Sequence, residues 1–212
     1  MKIAISEKKL LKLVLSQIKN FFLIDAADKK VIVEFIGISL KRAEICFSAS
    51  INKYYKRDGF VFFNPYHSGQ YSIFLYFLSN TIWKSENGGL TPDKIYYLNK
   101  ALNGVDLFYE VEMPSIFFFD HPVGSVMGRA KYGEGFSFSQ NCTVGNNRGI
   151  YPQIGKNVTM YSGAMILGKC VIGDNVSISA GACVKDQDVP SNSIVFGASP
   201  DLIIKPKRTV EI

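Results

Sequence analysis

From Ile154 to Val184 a long or branched apolar residue returns at every sixth position, as Ile154, Met160, Ile166, Ile172, Ile178 and Val184, without a skip. A period of six fits neither the alternation of a half-buried strand nor the roughly 3.6-residue turn of a helix. Two places ahead of each apolar residue from Met160 onward stands a compact one: Val158, Ala164, Cys170, Val176 and Ala182. Gly155, Gly173 and Gly181 mark corners that call for a permissive backbone. Upstream, a second frame holds Val126, Tyr132, Phe138 and Val144, with Ala130, Phe136 and Cys142 in the compact place. The two frames are offset by one hexapeptide plus four residues, so a loop must bulge out within 145–153, where GNNRGIYPQ is rich in turn formers.

Such a repeat suits a parallel β-helix in which three hexapeptides make one triangular coil. One residue per strand points inward and stacks on the residue eighteen later, Met160 on Ile178 and Ile166 on Val184. The outer faces of the prism are flat, which predicts a homotrimer with clefts between copies where a long thin ligand can lie.

The first half reads differently. Leu10, Leu11, Val14, Ile18 and Phe21 recur at helical spacing behind Ser6 as a cap. Phe35, Ile38, Ile45, Cys46 and Ala49 continue that spacing, with a strand as the alternative because the segment is rich in Ile and Val. A third helix is predicted after Asn64 and Pro65 through Trp83, and a fourth from Thr91 as N-cap, Pro92 and Asp93, with the loop 84–90 between them. The predicted fold class is α+β, with a helical domain over 1–110 and a β-helix with a C-terminal tail over 111–212.

Composition narrows the setting. A 47% hydrophobic chain of 212 residues can bury a core. The net charge of +6 comes from scattered lysines and arginines without a like-charge block, so the sequence predicts no nucleic-acid partner and suits a small anionic ligand. Cys46, Cys142, Cys170 and Cys183 show no paired spacing, and Lys8, Lys9 and Lys12 interrupt the N-terminal apolar run, so a reduced, cytoplasmic protein without a secretory leader is expected. The apolar run 71–83 is too short for a membrane span.

The segment 119–205 resembles the left-handed β-helix acyltransferases, and among them the serine acetyltransferases. It does so through FDHPVGSVMGRA, SQNCTVGNN, YPQIG, SGAMILGKCVIGDNV and VPSNSIVFGASP. YHSGQYSIFLYFLSNTIW is similar to a helix of that group's N-terminal domain. Left-handed coiling, acetyl-CoA as donor, a hydroxyl-bearing small molecule as acceptor and no metal are what the resemblance implies. A homotrimer, joined into hexamers through the helical domain or not, is the expected assembly.

The chain has two histidines. The resemblance makes His121 the general base that takes the acceptor's proton, and Asp120 a contact to the acceptor. His67, at a helix entry, reads as a capping or packing residue. The family's orienting aspartate has no clean counterpart: Val111 holds its place, leaving Glu112 as first candidate and Glu110 in reserve, with solvated surface acids as the plain alternative. The turn Gly145, Asn146, Asn147 would supply backbone N–H groups to the oxyanion. Gly163, Ala180 and Gly181 match places where the pantetheine arm passes. Ser199 and Pro200 resemble the family's Gly-x-Pro corner with one residue more, and Lys205, Lys207 and Arg208 form a basic tail for the CoA phosphates. Where serine acetyltransferases hold the amino acid with an Arg and a His, this chain has Ile150 and Tyr151. That favours a sugar or nucleotide-sugar acceptor, although Arg148 keeps serine open.

Other classes remain for comparison. A zinc β-helix of the γ-carbonic anhydrase kind needs three histidine ligands. A binding or scaffold protein without chemistry shares the geometry. Cys142 and Cys170 take the compact inward place as apolar fillers, and Cys183 points outward.

Overall fold

The computed structural model describes residues 1–86 and 88–207. The chain divides into two compact units, Met1–Gly104 with Phe108–Glu110, and Val105–Leu107 with Val111–Ile212.

In the first unit, helix α1 (Glu7–Phe21) starts at Ser6, whose hydroxyl accepts from the Lys9 N–H at 3.4 Å, and it buries Leu10, Val14 and Ile18. Helix α2 (Ala26–Ser48) opens with a capping box between Asp25 and Asp28. The segment is therefore helical throughout, not a strand. Its buried stripe is Val31, Ile32, Leu40, Ala43, Cys46 and Phe47, whereas Ile38 and Ile45 are about half exposed. Apolar residues surround this helix on every side, so spacing alone could not choose its inner face.

Helix α3 (Ser68–Lys84) is buried along nearly its whole length. Its cap is His67, whose Nδ1 accepts from the Gln70 N–H at 3.3 Å while its ring packs against Tyr54 and Tyr55. Helix α4 (Thr91–Asn103) is entered from Leu90. Thr91 is its first residue rather than its cap, because the Thr91 hydroxyl donates to Asp28 at 2.7 Å. A small sheet not foreseen from the sequence completes the unit: β1 (Lys2–Ile3) pairs in parallel with β3 (Phe60–Phe63), which pairs antiparallel with β2 (Lys56–Arg57). Asp58 and Gly59, both at positive φ, close that hairpin.

The second unit is a parallel β-helix with three faces. The first carries Lys131–Tyr132, Gln153–Ile154 and Val171–Ile172; the second Phe117–Phe119, Phe136–Phe138, Thr159–Met160, Ser177–Ile178 and Ser193–Phe196; the third Asp106–Leu107, Val126–Met127, Thr143–Gly145, Met165–Leu167 and Cys183–Lys185. The stacks expected from the repeat are present: Met160 sits on Ile178, Ile166 on Val184 and Ile154 on Ile172. Ile154 also pairs with Tyr132, twenty-two residues earlier, so the four extra residues leave the coil as the loop 146–152.

Three details depart from the expectation. Met127, not Val126, stacks on Val144; Val126 is 42% exposed, because the turn to Tyr132 is one residue shorter than a full repeat. The compact residues Val158, Ala164, Cys170, Val176 and Ala182 are buried too, so two side chains per strand fill the prism rather than one. Of the corner glycines only Gly181 has positive φ. Gly155 and Gly173 are required by closeness instead: a Cβ on Gly173 would lie 2.4 Å from the Ser191 nitrogen, and one on Gly155 2.7 Å from the Gly173 carbonyl carbon. The left-handed places at other corners are taken by Asn141, Asn157, Asn175 and Asn192, whose side chains tolerate that region.

Candidate active site

Counting two residues beyond each inward side chain of the second face gives one edge of the prism. Phe119, Phe138, Met160, Ile178 and Val195 are mutually in register, so His121, Gln140, Ser162, Ala180 and Gly197 follow one another along the corner between the second and third faces. The Gly163 N–H donates to Gln140 O and the Gly181 N–H to Ser162 O, both at 2.9 Å, which ties the same corner together. The structure thus collects His121, Gly163, Ala180 and Gly181 on a single edge about 19 Å long, at about 4.8 Å per coil.

His121 is exposed and has φ of 49°, a corner conformation. Its carbonyl accepts from the Val123 N–H at 2.8 Å, and among the described residues its imidazole has no hydrogen-bond partner. Asp120 precedes it, exposed, with its N–H donated to Phe138 O at 3.0 Å. Glu112 is exposed and Glu110 half-buried. A Cβ at Gly181 would meet nothing within 4 Å. Beyond His121 the edge is therefore bare enough for a thin chain to lie along it.

The other expected residues flank the next edge, between the third and first faces. Gly145 ends a strand of the third face, and the loop that follows is pinned by two bonds between Asn147 and Ile150, each 3.0 Å, and by the Gly149 N–H on Asn146 Oδ1 at 3.2 Å. The Asn147 N–H is thus engaged within the loop and the Gly145 N–H faces the strand Met165–Leu167 in the ladder, which leaves Asn146 as the turn's candidate for an oxyanion. Arg148 sits at the tip with φ of 50°, and Ile150 and Tyr151 are partly exposed. Six residues of extended chain, Gln140 to Asn146, lie between the two edges, up to about 20 Å. Within one chain His121 and the loop of Arg148 and Tyr151 thus belong to different edges of the prism.

Near the loop's base a groove of about 380 Å³ is lined by Lys185, Asp186, Gln187, Ser199 and Pro200. Ser199 Oγ accepts from the Lys185 N–H at 3.0 Å, and the Ser199 N–H donates to Cys183 O at 2.9 Å, so this corner closes the end of the third face. Lys205 lies on the strand Ile203–Pro206, paired with Ile194, and its ammonium stands 5.7 Å from the Phe196 ring centre. Lys207 donates its N–H to Asn192 O at 2.7 Å, and Arg208 lies outside the described residues.

Asp186 was not singled out by the sequence. Its carboxylate accepts from the Lys169 N–H at 2.9 Å and from the Asn147 side chain. The Lys169 N–H first and the Asn147 amide second hold it below the usual carboxylate range. Gln140, Tyr161 and Ser162 were also passed over, although the hexapeptide frame marks them: each is one or two places past an inward Phe138 or Met160. Cys142 and Cys170 are buried, and burial pushes both thiols up, which suits fillers rather than nucleophiles. Cys183 is partly exposed. Among the described residues no group of three or more His, Cys, Asp or Glu is placed to hold a metal, and no helix is long and apolar enough to cross a membrane.

Residues 151–186 match the family described as Bacterial transferase hexapeptide (six repeats). The chain is similar to a serine acetyltransferase of Synechococcus elongatus, 33% identical over 111 residues, half of this chain and 45% of that protein. It is also similar to one of Staphylococcus xylosus, 28% identical over 149 residues and 68% of each chain. It thus spans about half the length of the first relative and about two thirds of the second. The solved serine acetyltransferase of Vibrio cholerae overlays on it with a TM-score of 0.69 at 21% identity, covering 86% of this chain and 72% of that one. That overlay carries the fold: a helical region followed by the left-handed parallel β-helix that the resemblance implied. The family match carries the hexapeptide repeat, and the likeness to serine acetyltransferases, read first from the motifs around His121, is found in sequence and in fold.

Proposed function

We propose that the chain is an acetyl-CoA-dependent O-acetyltransferase of the serine acetyltransferase type, acting by direct transfer, and that its acceptor is the hydroxyl of L-serine. One observation carries this reading: His121 stands at the head of a bare edge, Gly163, Ala180 and Gly181, in a chain whose relatives are named serine acetyltransferases. Those names support serine over the sugar acceptor suggested by Ile150 and Tyr151, and Arg148 in the same loop offers a cation for the carboxylate.

In this reading the pantetheine arm lies along the edge with its thioester near His121. The imidazole takes the serine hydroxyl proton as the oxygen attacks the thioester carbonyl carbon. The backbone N–H of Asn146, brought to the thioester by the loop of a neighbouring copy, stabilises the tetrahedral oxyanion. Collapse breaks the C–S bond, and the departing thiolate receives the proton back from the imidazolium, giving O-acetylserine and free CoA. Asp120 contacts the acceptor, Glu112 orients the imidazole, and Ser199 and Lys205 hold the nucleotide end of CoA. A homotrimer suits this scheme, because a neighbouring copy can set its Arg148 and Tyr151 loop against the His121 edge.

Release of CoA thiol from acetyl-CoA, measured with L-serine and with a panel of nucleotide sugars, tests the assignment. Faster release with serine is expected. Preference for a sugar would overturn the acceptor, and no release with any acceptor despite acetyl-CoA binding would leave a binding protein without chemistry.

A further inference from the structure

The sheet of the helical unit has one face turned to the core and one turned out. Phe63 is fully buried on the inner face, with Ile3 as its paired neighbour. The outer face follows from register: Lys2 pairs with Phe62, and Arg57 with Phe60, so these four side chains share a side. The Lys2 ammonium lies 4.2 Å from the Phe60 ring centre, and the Arg57 guanidinium 5.2 Å from that of Phe62. Beside them Lys53 stands 5.3 Å from the Tyr54 ring, and Ile51, Tyr54, Phe60 and Tyr66 are all exposed, Ile51 completely.

This surface is held rigid from within. Gln70, fully buried, donates to Tyr54 O at 2.9 Å and Phe62 O at 3.1 Å and accepts from the Asn64 N–H at 2.6 Å. One side chain thus joins the stretch of Tyr54 to the one that carries Phe60 and Phe62.

We propose that this outer face is a docking surface for an anionic lipid bilayer, a role separate from the acetyl transfer proposed above. Its charge is mainly positive: Lys2, Lys53 and Arg57 stand with the acid Asp58, which is itself paired with Lys2 at 3.7 Å. Exposed aliphatic and aromatic side chains ringed by cations match the headgroup layer, where rings and Ile51 enter the acyl boundary and the cations meet lipid phosphates. Nucleic acid or a glycan would stack on open ring faces, but Tyr54, Phe60 and Phe62 each have a cation over one face. A second copy of the same surface would set like charges against each other.

Flotation with vesicles of phosphatidylcholine and phosphatidylglycerol in equal parts, and of phosphatidylcholine alone, tests this with the full chain. Binding to the anionic vesicles only, weakened by salt, is expected. Lys2→Glu and Arg57→Glu should each lower vesicle affinity about tenfold or more, and Phe60→Ser should weaken binding at low salt; circular dichroism confirms that each variant folds. Equal binding to neutral vesicles, no binding, or anionic binding unaffected by the charge reversals overturns the proposal. Equally, a patch-dependent shift in size-exclusion elution without vesicle binding would assign the face to self-association.

Discussion

The side chain of Asn147 donates a hydrogen bond to the carboxylate of Asp186, thirty-nine residues further along the chain. The bond fastens the loop that carries Arg148 and Tyr151 to the wall of the groove formed with Ser199 and Pro200. The two parts of the proposed site, for acceptor and for donor, thereby share one carboxylate.

Asn147→Ala removes the side-chain half of that link and keeps the loop's backbone bonds to Ile150. The acceptor KM should rise about threefold to tenfold, the range for one charge-assisted bond at an exposed place. The KM for acetyl-CoA should stay within twofold or so of wild type, since Asn147 does not line the groove. Because the Asp186 carboxyl is held low, the link persists at neutral pH and loosens only as pH falls below the ordinary carboxylate range near 4. Steady-state kinetics with each substrate varied in turn checks this, and an unchanged acceptor KM would detach the clamp from catalysis.

His121→Ala should lower turnover by about a hundredfold or more while acetyl-CoA still binds, because the imidazole is exposed and has no hydrogen-bond partner among the described residues, so its loss opens no cavity. Isothermal titration with acetyl-CoA separates binding from chemistry. Near-normal turnover would remove His121 from the base role.

The prism was legible because its core residues are strictly periodic: Met160, Ile166, Ile172 and Ile178 declare their partners eighteen residues away. Where a turn lost one residue, between Met127 and Tyr132, neighbouring Val126 and Met127 were equally apolar and the frame slipped. The sheet of the helical unit was missed because its strands are two to four residues long, too short for alternation to register, though Asp58 and Gly59 carried a hairpin signal. Within the site, His121 and the glycine edge follow from motif and repeat. The Asn147–Asp186 bond joins residues whose spacing in the chain matches no local pattern, so only the folded coil reveals it.

Two glycines should respond in opposite ways to alanine. At Gly173 the added Cβ would lie 2.4 Å from the Ser191 nitrogen and 2.8 Å from its Cα, so adjacent coils must part, at a cost of about 1–3 kcal/mol. At Gly37, within α2, nothing lies within 4 Å and φ is helical, so alanine should stabilise by about 0.5–1 kcal/mol. Paired urea melts read the difference, and a Gly173→Ala chain as stable as wild type would contradict the close packing of the coils.

Asp28 makes the helical unit acid-sensitive. Its desolvated carboxyl would by burial alone be pushed up, but the Lys94 ammonium at 2.7 Å, the Asp25 backbone and the Thr91 hydroxyl outweigh that and leave it below the usual range. A group depressed on folding contributes stability that is complete above the unfolded value, about 4, and is lost as pH falls through the folded one. Asp28→Asn should therefore cost about 2 kcal/mol at neutral pH, through the lost Lys94 pair and the weakened capping box. The gap between variant and wild type should then narrow as pH drops below about 4. Thermal melts across that range measure the gap directly, and a constant difference down to low pH would show that the Asp28 charge does not hold α2 and α4 together.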